Sequence, residues 1–315
     1  MPFNTVPNGS FQGLKGNMLQ IGNNILNRQT NSQSPNNPYN GTGNNNGTNM
    51  QYIDIDGDAS TFNSTTADLT IPVANAGCYQ IRYAGLFWAG VYNPNNIGNE
   101  VDRSQLGNVK FKLPGGNYID ITGGVNNVIF DSYTVNQAVS SNNYGYAAYY
   151  DVTSLVQALP SANGTYGVAN IQSGLGDNTS GGWNLIIVYE DPLTTAKNID
   201  VFRGFSNIRS GDPALDIPIS GFNSIPIGPV RAQLAFAALE GDRAFTDDRL
   251  RVNGVSMTIP TRPANNFFNS TINDINGAYN TRNIASSNLL GFDAGIINVP
   301  NPGNSVIANS ATNAT

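Results

Sequence analysis

The sequence predicts an all-β protein made of two tandem β-sandwich or jelly-roll-like units with little helix. Short apolar runs alternate with turn signals at intervals of about ten residues, a spacing typical of sandwiches and jelly rolls. Only 11% of the residues are charged, and polarity comes mainly from Asn, Ser, Thr, Gln and Gly, the residues that form tight turns. Stretches of strong helix formers at helical spacing are almost absent.

The segment 181–205 is the centre of this prediction and reads as a β-hairpin in the middle of a sandwich. Its first strand is apolar on both faces, which is typical of a strand that is covered on both sides. Pro192 ends that strand because it has no N–H for a ladder. One face carries Trp183, Leu185, Ile187 and Tyr189, and the other carries Ile186 and Val188.

We divide the chain into a first β-sandwich domain at 1–205 and a second at 206–315. In the first, the run at 18–26 predicts a short edge strand, and the Asn/Gly-rich stretch 29–50 predicts an exposed loop. The second breaks off in a strand-like pattern at 305–315, which predicts a fragment of a longer protein or a domain completed by a partner.

The remaining elements follow from apolar alternation and turn chemistry. Asn253 and Gly254 form a strong hairpin signal, and the segment 114–117 forms another. One helical turn is expected at 151–156. The predicted strands are 51–55, 68–73, 79–92, 109–113, 118–121, 128–133 and 166–171 in the first unit, and 230–239, 250–252, 255–259, 296–299 and 306–309 in the second.

Composition excludes several classes of function. A net charge of −6 argues against nucleic acid and against an anionic membrane surface as partners. The chain has no His, so a Ser-His-Asp triad and a His zinc site are excluded.

Cys78 is the one cysteine, and its apolar surroundings predict a buried thiol. No apolar run reaches the ~20 residues of a membrane helix, so no direct membrane insertion is expected.

The first candidate site is a set of alternate carboxylates. Asp54, Asp56 and Asp58 flank Gly57, which lets the chain bend, and three such carboxylates can converge on a hard cation such as calcium. The segment lacks the closing Glu of an EF-hand. The alternative is a polar strand end whose carboxylates are solvated or cap turns.

A second acidic cluster follows the strand 230–239. Glu240, Asp242 and Asp247 are candidate calcium ligands, with Asp293 as a distant further ligand. Two arginines are interleaved with these acids, so ordinary ion pairing is the alternative. Paired carboxylates also admit a glycan hydrolase, but nothing in the sequence fixes their separation.

A third candidate site is aromatic. Tyr144, Tyr146, Tyr149 and Tyr150 could stack on sugar rings if they are exposed, although alternation along a strand would bury half of them. Together with the acidic clusters they suggest a calcium-dependent carbohydrate-binding module as an alternative function, with surface glycans as partners.

Seven motifs spread over most of the chain carry a resemblance to a known family. The sequence resembles the N-terminal region of the large repetitive surface adhesins of Bacteroidota, of the type used in gliding motility and exported by the type IX secretion system. The motifs are IGNNILNR (21–28), MQYIDIDGD (50–58), YAGLFWAG (83–90), GWNLIIVYEDP (182–192), PVRAQLAFAALEGDR (229–243), RPANNFFNS (262–270) and SSNLLGFDAGI (286–296).

The resemblance implies an extracellular protein at the outer cell surface with a role in adhesion or filament building. We therefore expect a non-enzymatic adhesin head or filament subunit. Open edge strands are templates for strand addition, so the expected partners are neighbouring surface-protein modules or copies of the chain itself.

Overall fold

A computed structural model describes residues 2–28, 33–72, 78–95, 101–139, 142–209, 211–219 and 228–300. Within these ranges nearly all of the regular secondary structure is strand, which confirms the predicted all-β class. One α-helix, α1 (Thr153–Gln157), matches the predicted helical turn, and short 3₁₀ helices lie at Arg103–Gln105, Gly124–Asn126 and Ser132–Val135.

The strands are numbered in chain order. Those up to residue 205 are β1 (Asn4–Asn24), β2 (Leu26–Arg28), β3 (Met50–Tyr52), β4 (Ser64–Leu69), β5 (Gln80–Tyr92), β6 (Val109–Lys112), β7 (Tyr118–Ile121), β8 (Val128–Asp131), β9 (Tyr144–Asp151), β10 (Gly164–Ala169), β11 (Gly181–Glu190) and β12 (Ala196–Arg203). Those after it are β13 (Ala232–Gly241), β14 (Arg251–Val252), β15 (Val255–Ser256), β16 (Ile272–Asp274), β17 (Gly277–Ala278), β18 (Arg282–Asn283) and β19 (Gly291–Val299).

Two sheets form a sandwich around the main core. The six-stranded sheet has the order β12-β1-β11-β5-β9-β8, and the five-stranded sheet has the order β18-β4-β10-β6-β7. Trp183 of β11 is fully buried between them, and its indole N–H donates to the Thr65 hydroxyl of β4 at 2.9 Å. The indole N–H of Trp88 is likewise satisfied, by the carbonyl of Leu106 at 2.8 Å. The buried indoles thus pack the core without an unpaired donor.

The second face of β11 is also covered, as predicted. Val188 lies in a separate buried cluster on that face, which the curl of the six-stranded sheet encloses. Phe205, just beyond β12, stacks on Phe130 of β8 with ring centroids 5.2 Å apart. The Arg203 guanidinium lies 5.6 Å from the ring centroid of Tyr149 in β9. The two ends of the sheet therefore approach each other.

The predicted hairpin at 181–205 is wrong, because β11 and β12 do not pair. Both run antiparallel to β1, with Gly16 opposite Glu190 and Lys15 opposite Ala196. The run at 18–26 is not a separate short strand: it covers the end of the 21-residue β1 and the first residue of β2, and its β1 part pairs with β11 alone, since β12 pairs only with residues 4–15. The hairpin was inferred from sequence adjacency, which a long third strand can override.

Both short hairpins are confirmed. β6 and β7 pair around the turn at 114–117, with Val109 opposite Ile121. β14 and β15 pair around Asn253 and Gly254, whose φ angles of 49° and 80° fit the left-handed region that this two-residue turn needs. The segment 306–309 lies outside the described residues.

Cys78 is exposed, which corrects the expectation of a buried thiol. The apolar strand begins at Gln80, so Cys78 lies at a bend before the ladder starts and not within it. Within the described part of the chain, no helix has the length and apolar character needed to cross a bilayer.

The C-terminal residues form a four-stranded sheet, β13-β19-β16-β17, and a core with the β14–β15 hairpin. One C-terminal strand, β18, is not part of this sheet. It pairs with β4 in the five-stranded sheet, with Arg282 opposite Ala67. Asn23 of β1 fastens this strand, since its side-chain amide donates to the carbonyl of Asn283 at 2.9 Å. Residues on both sides of position 206 thus share a sheet, and the division into two domains stays a prediction.

Candidate functional site

The first acidic motif is a turn whose carboxylates accept hydrogen bonds from the protein. It follows β3 and returns to β4 through a bridge between Asp54 and Ser64, whose hydroxyl donates to the Asp54 carboxylate at 2.8 Å. Asp56 accepts from the Tyr118 hydroxyl at 2.6 Å and from the backbone N–H of Asp58 at 2.9 Å. Asp58 accepts from the N–H of Ser60 at 2.8 Å.

These contacts set the acidity of the two exposed carboxyls. Partial burial acts to raise the pKa of Asp56, but the hydrogen bonds from Tyr118 and the Asp58 N–H outweigh it and hold that pKa below its ordinary value. The hydrogen bonds from Ser60 lower the pKa of Asp58. The arrangement matches the predicted alternative of carboxylates that cap a turn.

The second acidic motif lies where the C-terminal sheet meets the Asn/Gly-rich loop. Glu240 follows the regular part of β13 in a left-handed conformation, with φ of 64°. Its carboxylate accepts from the Ser180 hydroxyl and from the side-chain amide of Asn45 at 3.3 Å. Asn45 is fully buried although it belongs to the segment predicted to be an exposed loop. Neighbouring elements therefore hold this part of the loop in place.

The three predicted ligands of this motif do not share one place. Asp242 is buried, and its Oδ1 has no hydrogen-bond partner among the described residues. Asp247 faces solvent with 79% of its side chain exposed, and it forms an ion pair of 3.5 Å with Arg249. The predicted alternative of ion pairing is thus confirmed for Asp247. Calcium binding at either motif stays a prediction; across the ranges described, no group of three or more His, Cys, Asp and Glu could hold a metal ion.

Burial makes the inner carboxyls of this cluster weak acids. Burial raises the pKa of Glu240 to about 7, and the charge of Asp242 adds to the effect. Burial, with the charge of Asp293, raises the pKa of Asp242 to about 6. Burial also raises the pKa of Asp248 to about 6. Ionising these groups at neutral pH therefore costs folding free energy.

Sequence reasoning missed a fully buried ion pair beneath the cluster. Arg262 and Asp293 are both 0% exposed, and the guanidinium donates to the carboxylate at 2.6 Å. Asp293, predicted as a distant calcium ligand, instead accepts from this arginine and from the backbone N–H groups of Asn269, Ser270 and Thr271. The sequence does contain one signal for this pair. Asp293 interrupts the apolar pattern of β19, and a charge that is buried in a strand needs a partner of opposite charge.

All five guanidinium N–H groups of Arg262 have acceptors. Besides Asp293 they reach the side chain of Asn273 at 2.7 Å and the carbonyls of Phe267, Thr271 and Ala294. The guanidinium also lies 5.1 Å from the ring centroid of Phe236 in β13. This pair therefore ties β13, β16, β19 and the segment 262–271 together.

The aromatic candidate site is largely in the core. Tyr144, Tyr146 and Tyr149 are buried, and Tyr150 alone of the four is exposed, at 37%. The hydroxyl groups of the buried three are used internally; that of Tyr146, for example, donates to the carbonyl of Gln172 at 2.8 Å. The predicted sugar-stacking surface on this strand is therefore reduced to one ring.

Among the strands at sheet edges, β13 differs from the others described. It is ten residues long, pairs with β19 alone, and carries no charged residue from Ala232 to Leu239. β12 carries Lys197 and Asp200, and β7 carries Asp120. The remaining edge strands of the described sheets have four residues or fewer: β2, β3, β8, β14, β15, β17 and β18.

The backbone direction along β13 follows from its neighbours. The backbone N–H of Ala294 in β19 donates to the carbonyl of Thr271, beside β16. Successive residues of a strand direct their N–H and C=O groups to opposite sides, so those of the next residue, Gly295, point to β13. Gly295 is opposite Phe236, whose N–H and C=O therefore face β19. By alternation, Ala235 and Ala237 direct theirs to the open side. Ala237 is exposed and Ala235 is partly exposed.

No protein family, curated protein or solved structure matches this chain.

Proposed function

We propose that the protein is a non-enzymatic structural and adhesive protein of the outer cell surface, and that it acts through strand addition at β13. The proposed binding partners are those expected from the sequence: adjoining surface-protein modules or further copies of the chain.

The uncharged, one-sided edge of β13 is the observation that carries the proposal. Soluble proteins usually protect such edges with Lys, Pro, bulges or short strands, because an open row of N–H and C=O groups binds other strands. The segment from Ala232 to Leu239 has none of the charges or prolines that would prevent this, and its one bulge lies at its end, between Leu239 and Gly241. An incoming strand would gain backbone hydrogen bonds without disturbing β19.

The buried ion pair supports the same function mechanically. Arg262 and Asp293 connect the strand that would receive a partner to the rest of the C-terminal sheet, through Phe236 and the backbone of β19. β18 and Asn23 then join this region to the sandwich. A pull on β13 would therefore be transmitted into the main core.

The test uses fluorescent beads coated with the purified chain and applied to cells that express the protein. Wild-type beads should attach, and beads carrying Ala237→Pro should not, because proline lacks the outward N–H that an added strand needs. Ala237→Thr is the matched control, since it keeps that N–H and should attach like the wild type. Equal attachment of all three, or none by any, would refute adhesion through this edge. Antibody labelling of intact cells tests the location, and unlabelled intact cells would contradict it.

A further inference from the structure

We infer that the segment 33–48 of the Asn/Gly-rich stretch is a clasp that holds the C-terminal sheet against the sandwich. The sheet opens ahead of the sandwich, and it does so only when the clasp releases it. This role does not depend on what binds at β13, so it goes beyond the proposed function.

The C-terminal sheet has buried clusters of its own. One cluster packs Phe267 against Leu250 and Ile297, and another packs Phe292 against Leu289. Every side chain in these two clusters comes from the residues after position 229. The sheet can therefore separate from the sandwich without opening its own core, and the contacts between the two parts decide how readily it does so.

The sandwich anchors both ends of the clasp. The strands on either side of it, β2 and β3, pair with each other, and their residues Leu26 and Met50 are buried in the main core. The side-chain amide of Asn27 donates to the carbonyls of Pro35 and Asn37, at 2.7 and 2.8 Å. The clasp thus starts from a fixed base and returns to it.

One part of the clasp bonds the residues that lead into β19. The backbone N–H of Tyr39 donates to the Ser286 hydroxyl at 3.0 Å, and the Tyr39 carbonyl accepts from the N–H of Asn288 at 3.2 Å. The buried side-chain amide of Asn288 donates to the carbonyls of Gly41 and Gly43, at 3.0 and 2.7 Å. These bonds hold the chain just before β19 begins.

The clasp holds the neighbouring strand, β13, at the same end of the sheet. Gly241 of β13 lies opposite Gly291 of β19, so Glu240 and the segment 286–288 are at one end of this pair. Glu240 accepts from the side-chain amide of Asn45 at 3.3 Å. A Cβ at Gly291 would lie 2.9 Å from the nitrogen of that amide. The clasp therefore contacts both strands where their ladder ends.

Asn45 also connects these contacts to the sandwich. Its side-chain amide donates to the carbonyl of Thr179 at 3.1 Å, and its own carbonyl accepts from the N–H of Asn178 at 3.3 Å. The N–H of Gly47 donates to the Asp177 carboxylate in the same turn before β11. The sheet can leave the sandwich only if its bonds to the clasp break.

The Asn/Gly-rich composition suits this role. A side-chain amide both donates and accepts without carrying a charge, so Asn45 and Asn288 satisfy buried backbone carbonyls without adding an ionisable group. A Cβ at Gly41 or Gly43 would lie 2.5 or 2.8 Å from the Tyr39 hydroxyl. Glycine at these positions lets the clasp bend closely around Tyr39 and present its carbonyls to Asn288.

Hydrogen exchange of peptides from the native protein tests the inference. Asn288→Ala removes two bonds to the clasp, so exchange in the clasp and in β13 and β19 should become faster by the same factor, at least about tenfold. The matched control is Asn63→Ala, because Asn63 is also buried but its side chain bonds Ile171 within the sandwich. That variant should leave β13 and β19 at the wild-type rate. Faster exchange confined to the clasp, or equal effects of both variants on β13 and β19, would overturn the inference.

A second pair of variants changes the clasp and leaves the C-terminal residues as they are. The exposed Asn40 accepts the N–H of Ser287 through its side-chain oxygen at 2.9 Å. Asn40→Ala removes that acceptor and should speed exchange in β13 and β19 at least about twofold. Asn40→Asp keeps the acceptor and should match the wild type. Exchange in β13 and β19 that is the same in Asn40→Ala as in the wild type would overturn the inference.

Discussion

Replacing Arg262 by methionine should be among the most destabilising single changes in the C-terminal sheet. Methionine keeps the apolar stem beside Phe236 but removes the charge that Asp293 faces. Both partners are 0% exposed, and removing one member of such a pair costs about 3–5 kcal/mol because the other stays charged and buried. The backbone carbonyls of Phe267, Thr271 and Ala294 also lose the hydrogen bonds that they accept from the guanidinium. We therefore expect a loss of about 4 kcal/mol in the free energy of opening this sheet.

Hydrogen exchange of peptides covering 262–273 and 291–299 measures that free energy directly, even if this sheet opens separately from the sandwich. A loss of about 4 kcal/mol corresponds to exchange faster by about a thousandfold. The matched control is Arg82→Met, which breaks an ion pair with Glu190 whose side chains are 45% and 35% exposed and which should contribute at most about 1 kcal/mol. An acceleration in Arg262→Met no greater than in Arg82→Met would refute the reasoning.

Three further predictions concern the acidic cluster and the thiol. The folded state raises the pKa of Glu240 to about 7 and of Asp242 to about 6, so the stability they contribute is complete below their ordinary pKa values and is lost as pH rises through the raised ones. The free energy of unfolding from urea titrations should fall by roughly 1–3 kcal/mol between about pH 5 and pH 8, and Glu240→Gln should flatten this pH dependence; a free energy that rises with pH would contradict this. The calcium predicted from the sequence should raise the melting temperature near pH 8 in wild type and not in Glu240→Gln, and identical melting temperatures with and without millimolar calcium would refute it. Cys78 should react with a thiol reagent in the folded protein nearly as fast as in urea, and protection by folding would show that it is not exposed.

Local patterns predicted the local parts of the fold. β11 is apolar on both faces, and it is buried on both. The Asn253-Gly254 turn formed the expected hairpin because its geometry depends on two residues. Carboxylates such as Asp56 could be recognised as turn caps for the same reason.

Long-range pairing could not be predicted from the sequence in the same way. β1 pairs with β12 through residues 4–15 and with β11 through residues 16–24, and no local signal shows that one strand of 21 residues joins both partners. Asn45 looked exposed within a polar stretch, but it is buried because it bonds residues far away in sequence, among them Glu240. The Arg262–Asp293 pair joins residues 31 positions apart, so its partner choice becomes visible only in three dimensions.

Residue-resolved amide exchange along β13 tests the central claim, that this strand is bonded on one side. In dilute protein, the amides of Ala235 and Ala237 should exchange quickly, and those of Phe236 and Ala238, which face β19, should exchange slowly. Equal protection of all four amides in dilute protein would contradict the account.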